Sequence, residues 1–216
     1  MEKLTITATL ATPFVTGGGY MTFDAILAGT LFDQIGDVDE AHAAIPIQCT
    51  EGLYHASAAF FKPLDYSSID FVANLRANHS LDPSLIAKKP DGKTIHKAIG
   101  MKRRRDFGAV MNTYSLICAN SITCCDEGDR SQIENLVAPI YFIGTRRASG
   151  FGEVSSWEIE EGVSDGLTGS DKKPLRPIPE AAFTGDKTSL RADTGWRPAY
   201  WHPADRSICY VSELLL

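Results

Sequence analysis

Apolar and polar positions alternate at the start of the chain: Leu4, Ile6, Ala8 and Leu10 are interleaved with Thr5, Thr7, Thr9 and Ala11. This period of two predicts a half-buried strand that extends toward Val15. Gly17, Gly18 and Gly19 break it. Phe23, Ile26, Leu27, Leu31 and Ile35 then follow helical spacing, with Thr22 placed as N-cap and Gly36 as stop. From Ile45 to Phe61 two β-prone runs flank Glu51-Gly52, a hairpin signal with glycine in the second turn position.

Residues 63–112 lose this pattern. They are polar, contain Pro63, Pro83 and Pro90, and read as a long insertion that itself turns at Pro90-Asp91-Gly92. A β-prone stretch returns from Thr113 to Cys125. Asp129-Arg130-Ser131-Gln132 has the form of a capping box, and Ile133, Leu136, Val137, Ile140 and Tyr141 continue at helical spacing. Pro139, which lacks a donor and crowds the preceding turn, is expected to kink or end that helix. A last strand is expected over Glu153–Glu160. The order β-α-β-β-insertion-β-α-β reduces to a split, ferredoxin-like or RRM-like α+β pattern with two helices on one face of an antiparallel sheet. Residues 1–162 form this core, with the basic insertion at about 63–112. Residues 163–216 are expected to wrap on it as an extension that contains the aromatics Trp196, Tyr200 and Trp201 and the strand-like run Ile208–Val211.

Composition bounds the class. The 216 residues, 44% hydrophobic and 22% charged, are near the globular average and fit one domain plus an appendage. The longest apolar run, Leu136 to Ile143, is interrupted by Pro139 and is far shorter than the ~18 residues of a membrane span. A soluble protein without membrane contact is expected, and the alternating N-terminus reads as a strand rather than a secretory leader. Five cysteines, including adjacent Cys124 and Cys125, show no CxxC spacing, so no disulfide framework, metal site or cofactor is expected, and a reducing cytoplasm is the expected setting.

Charge changes the picture. Lys88, Lys89, Lys93, Lys97, Lys102, Arg103, Arg104 and Arg105 stand against Asp91 alone, a local net charge of +7. The rest of the chain, with 13 basic and 26 acidic residues, carries −13. Such a segment is either an arm that grips a polyanion or a solvated loop. The run Gly144-Thr145-Arg146-Arg147-Ala148-Ser149-Gly150-Phe151-Gly152 adds a second signal, because its glycines permit close backbone approach while its arginines bring charge to the same place. An ordinary helix cap and turn accounts for Gly144 but leaves the two arginines and Phe151 without a role.

The unit Gly144–Val154, following a helix and preceding a strand, resembles the glycine-rich loop of the CRISPR-associated RAMP superfamily. The opening LTITATLATPFV, the run TFDAILAGTLF and the tail pieces RPIP and GWRPAYW are similar to the Cas-five-like subunit of type IV CRISPR complexes. The resemblance implies a ribonucleoprotein complex of antiviral or anti-plasmid defence in a prokaryotic cytoplasm. In it this subunit caps the 5′ handle of the crRNA beside a Cas-seven-like backbone subunit and the large subunit. It places RNA contacts at Gly144, Thr145, Arg146, Arg147, Ser149, Gly150, Phe151 and Gly152. A weaker correspondence sets an RNA-clamping thumb on Lys88–Arg105, with His96 among its phosphate contacts. Phe107, Phe151 and Tyr20 are candidates for stacking on splayed bases, packing being the alternative for each.

Catalysis is not expected. The runner-up is a standalone metal-independent endoribonuclease acting on repeat RNA, for which His55, His96, Tyr54, Lys93 and Lys97 have suitable chemistry. A third reading is an RRM-like protein-interaction scaffold. His42, His79 and His202 carry no pattern, and HExxH, GxSxG and GxxxxGK[ST] do not occur.

Overall fold

A computed structural model describes residues 1–17, 20–73, 110–200 and 202–212. The predicted basic contacts Lys88, Lys89, Lys93, His96, Lys97, Lys102, Arg103, Arg104 and Arg105, together with Phe107 and Trp201, lie outside them. The chain divides into two compact units, one of Met1–Tyr66 with Leu116–Leu216 and one of Ser67–Ser115.

The larger unit is built on β1 (Glu2–Leu10), which lies between β7 (Ser121–Gly128) and β8 (Val154–Glu161), antiparallel to both. The alternation of β1 turns Leu4, Ile6 and Ala8 inward, opposite Asp126, Cys124 and Ile122 on one side and Glu161, Ile159 and Trp157 on the other. Residues 47–60 run along the outer edge of β7 as a broken strand, bridging Ile47 to Gly128, Ala56 to Asp126 and Phe60 to Thr123, all antiparallel. The break is a hairpin, β3 (Cys49–Thr50) and β4 (Leu53–Tyr54), whose turn residues Glu51 and Gly52 both have positive φ. This is the primed turn that Glu51-Gly52 predicts.

Helix α1 (Phe23–Ile35) buries Phe23, Leu27, Ala28 and Leu31 in the core. Gly36, at φ 80°, stops it by donating its N–H to Phe32 O, as the sequence predicts. Thr22 occupies the N-cap position in extended conformation, but its hydroxyl does not cap the helix. It serves the C-terminal extension instead. A short helix α2 (Val38–Ala43) follows, capped by Asp37, which accepts from the Glu40 N–H. Helix α3 (Arg130–Val137) starts at the predicted Asp129 cap, which accepts from Gln132 N–H at 3.0 Å, and it ends two residues before Pro139. Both long helices contribute to one core with the inward face of the sheet.

The stretch Thr113–Cys125, expected as one β-prone run, is divided: β6 (Val110–Ala119) ends at a bend on Asn120 and β7 begins at Ser121. Strand β2 (Phe14–Thr16), β6 and β5 (Pro63–Ala73) form a second sheet in the order β2-β6-β5. In the smaller unit Thr113 Oγ1 donates to Asp70 Oδ1 at 2.6 Å, and the rings of Phe71 and Tyr114 meet edge to face.

The extension is more ordered than its Gly- and Pro-rich sequence suggests. Strands β9 (Ile178–Pro179), β10 (Leu190–Gly195) and β11 (Arg206–Val211) form a sheet in the order β10-β11-β9. Ile178, Phe183 and Tyr210 join Leu53 of the hairpin in a second apolar cluster. Arg176 fixes the extension to the core from a fully buried position, donating to the carbonyls of Tyr54 and Ala56 and to the Asp24 carboxylate. Among the described residues no helix is long and apolar enough to cross a membrane.

Candidate nucleic-acid interface

After Ile140 the chain turns into a narrow loop whose base is closed by Ile143 N–H to Gly152 O (2.8 Å) and Val154 N–H to Tyr141 O (2.8 Å). Its two arms are fixed to the segment after β1. Thr145 N–H donates to Val15 O at 2.9 Å and Gly152 N–H to Pro13 O at 2.9 Å. Thr12 Oγ1 donates to Gly150 O and accepts from the Glu153 N–H. The sequence gives no sign of this clamp, because its partners lie 130 to 141 positions apart in the chain.

The glycines make the closure possible. Gly152 has φ 72°, and a Cβ there would lie 2.1 Å from Ile143 O; at Gly144, φ 80°, it would lie 2.7 Å from Val15 O. Gly150 also has positive φ but open space around the Cβ position. Gly150→Ala is therefore expected to lower stability by about 1 to 2 kcal/mol, the cost of a left-handed L-residue. Gly152→Ala meets that cost plus a carbonyl clash and should lower the thermal midpoint several degrees further; equal midpoints for the two variants would contradict the close approach.

Arg146 sits half-buried in the left-handed region at φ 61°, ψ 28°, and is followed by a 3-10 turn over Arg147–Ser149. A left-handed residue followed by right-handed ones turns successive N–H groups toward one side, a geometry that suits anions. The turn itself uses only the later groups, Ser149 N–H to Arg146 O and Gly150 N–H to Arg147 O. The Arg147 side chain is exposed.

Between this loop and the first half of α1 lies an open cavity of about 290 Å³. Gly144, Thr145 and Arg147 line it from the loop, Tyr20 and Met21 from the segment before α1, and Ala25, Ile26 and Gly29 from the helix face. Four predicted contacts, Tyr20, Gly144, Thr145 and Arg147, are thus brought together. Burial raises the Tyr20 phenol above its ordinary pKa, so it acts at neutral pH as a hydroxyl and a ring rather than as an anion. Ser149 and Gly150 lie exposed beyond the cavity, and Phe151 is half-buried in the returning arm.

Of the two histidines with chemistry suited to cleavage, His96 lies outside the described residues and His55 is placed away from the loop. His55 follows the β3–β4 hairpin, with Nε2 2.9 Å from Thr50 Oγ1 and Nδ1 3.5 Å from Glu127 Oε2. The Tyr54 hydroxyl donates to His42 O, and burial pushes its pKa up to about 12. Cys124 is buried while Cys125 is half-buried on the other face of β7. Among the described residues no group of three or more His, Cys, Asp or Glu is placed to hold a metal ion.

No family model matches the chain, and no curated protein does. A solved structure that it is similar to is a chain of the type III-B Cmr-beta complex bound to cognate target RNA, determined by cryo-EM. The TM-score is 0.36 with 12% sequence identity over 74% of this chain. This chain spans 61% of that one.

Proposed function

We propose that the chain is a non-catalytic crRNA-binding subunit of a type IV CRISPR ribonucleoprotein complex, holding the 5′ handle of the guide RNA next to a Cas-seven-like backbone subunit and the large subunit. The observation that carries this reading is the clamped glycine-rich loop, which sets Arg147 and Thr145 opposite Tyr20 across a cavity open to solvent. A guanidinium and outward N–H groups suit phosphate, and a phenol ring beside them suits an unstacked base. The side chains gathered here, a guanidinium, a hydroxyl and a phenol ring, suit gripping and stacking a strand. In this reading Lys88–Arg105 supply further sequence-independent affinity by displacing counterions from the RNA.

The ferredoxin-like, RRM-like reading of the core is supported by strand order. Across the sheet the sequence is β8, β1, β7 and the broken strand 47–60, each antiparallel to its neighbour, with α1 and α3 as the two crossovers. This is the order of the split β-α-β-β-α-β pattern.

The test is binding of the purified chain to repeat-derived RNA with an intact 5′ handle, beside a scrambled RNA of equal length, over a salt series with products run on a denaturing gel. Uncut RNA with handle preference is expected. Arg146→Ala/Arg147→Ala should weaken binding at least tenfold and flatten the slope of log affinity against log salt by about 1.4, roughly 0.7 for each phosphate of a single strand that is no longer neutralised. Undiminished affinity in this variant, or cleavage by the wild type, would refute the reading.

A further inference from the structure

The cavity beside the glycine-rich loop is the first of three that adjoin one another. A second, of about 700 Å³, lies on the other side of Arg147, between the loop and the last turns of α1, and shares Arg147 and Thr30 with the first. A third, of about 430 Å³, continues along α3 and β8 and shares Ile140 and Tyr141 with the second. We propose that an RNA strand held at the loop continues through these cavities and that Tyr141 is the stacking platform for one of its bases. This rests on the RNA-binding reading above and extends it to a site that the glycine-rich motif does not contain.

Three features of the groove point to a nucleic-acid strand. Tyr141 leaves 67% of its surface in water although its carbonyl is held by the Val154 N–H. A large ring on a fixed backbone, exposed beside a groove, is the element that sequence-tolerant single-strand binding uses. Behind it, Trp157 Nε1 donates to Ile140 O at 3.0 Å, which fixes the floor on the β8 side. Charge is also graded along the groove: Arg147 lies where the first two cavities meet, while Asp33 lines the second and Glu134 the third. Glu134 already accepts from Arg130 Nε at 3.1 Å through one oxygen; its second oxygen and the Asp33 carboxylate suit the N–H groups of bases better than phosphate. The arrangement therefore takes a phosphate at Arg147 and turns base edges inward beyond it, with the Thr30 hydroxyl beside Arg147 and that of Ser155 in the third cavity.

The position of Tyr141 makes the test clean, because an exposed ring can be removed without opening the core. Wild type, Tyr141→Ala and Tyr141→Phe are compared for binding to repeat-derived RNAs shortened one nucleotide at a time from either end, with thermal midpoints measured alongside. Tyr141→Ala should weaken binding of the longest RNAs about 5- to 150-fold, the range of a single base stack. Tyr141→Phe should restore it. RNAs too short to reach Tyr141 should bind wild type and Tyr141→Ala alike, while Arg146→Ala/Arg147→Ala weakens every length. If the wild type binds with salt-sensitive affinity and Tyr141→Ala matches it at all lengths, the continuation is wrong while the loop site stands. If instead Tyr141→Ala keeps its RNA affinity but loses a protein partner, the groove is a protein contact and the proposal falls. Absence of salt-sensitive binding by the wild type at any length would overturn both.

Discussion

Asp126→Asn is expected to stabilise the protein by about 4 to 5 kcal/mol at pH 8 and to leave it nearly unchanged at pH 4. Asp126 points into the core from β7, fully buried, opposite Leu4, and among the described residues neither carboxylate oxygen has a hydrogen-bond partner. Burial raises its pKa from 3.8 to about 8. The folded chain therefore keeps a proton that the unfolded chain gives up. Stability is full below the unfolded value and is lost progressively as pH rises from about 4 to 8, at ~1.4 kcal/mol per unit. Asparagine keeps the shape and has no proton to lose. Asp129 and Asp186 act in the opposite direction, because hydrogen bonds from Gln132 and Thr188 lower their pKa. Their contribution is present at neutral pH and lost as pH falls, and it is common to both proteins. The difference between urea midpoints of wild type and variant, measured from pH 4 to 8, thus isolates Asp126. Parallel profiles would show that the carboxyl finds a partner or water.

Asp126 also marks the limit of what a pattern reveals. The alternation of β7 assigns Ile122, Cys124, Asp126 and Gly128 to one face, yet the sequence alone does not say that this face is closed over the carboxylate. Elements whose cause is local were legible: the alternation of β1, the Gly36 stop, the Glu51-Gly52 turn, the Asp129 cap and the Pro139 limit on α3. Helix α2 was missed although Asp37 and Glu40 carry a capping signal, because only Ala41 of its six residues is buried and it has no apolar stripe. In the candidate site the composition of the loop was legible, and so was the interest of Tyr20. Its clamp by Thr12, Pro13 and Val15, and the exposure of Tyr141, were not, since both depend on pairing between residues far apart in sequence. Periodicity even assigned Tyr141 to α3, which ends four residues earlier, and so masked the ring as a helix position.

The same long-range dependence gives the second large effect, in the network that fastens the extension. Arg176 and Asp24 are both fully buried, with Nη2 3.1 Å from Oδ2. Tyr200 completes the set: its hydroxyl donates to Asp24 at 2.8 Å and accepts from Arg176 at 2.6 Å and from Thr22 Oγ1 at 2.7 Å. Burial by itself lowers the pKa of Arg176, and the neighbouring Asp24 and Tyr200 more than reverse this, so the guanidinium stays charged. Arg176→Met should destabilise by about 3 to 5 kcal/mol, because it strands a buried carboxylate and removes the donor to the Tyr54, Ala56 and Trp196 carbonyls. Asp24→Leu alone should cost a similar amount by stranding the guanidinium. The double variant no longer contains an unpaired charge, so its loss should fall short of the sum by at least about 2 kcal/mol while remaining below wild type, since the Ala56 and Trp196 carbonyls lose the Arg176 donor and Tyr54 O is left with the Ala56 N–H alone. Additive losses in that cycle would mean that water reaches one of the charges, and the extension would then be held chiefly by the apolar cluster of Leu53, Ile178, Phe183 and Tyr210. A coupled result means that the extension fixes the start of α1, three residues after Tyr20, so on the RNA-binding reading proposed above, loosening it should also raise the dissociation rate of RNA from the loop.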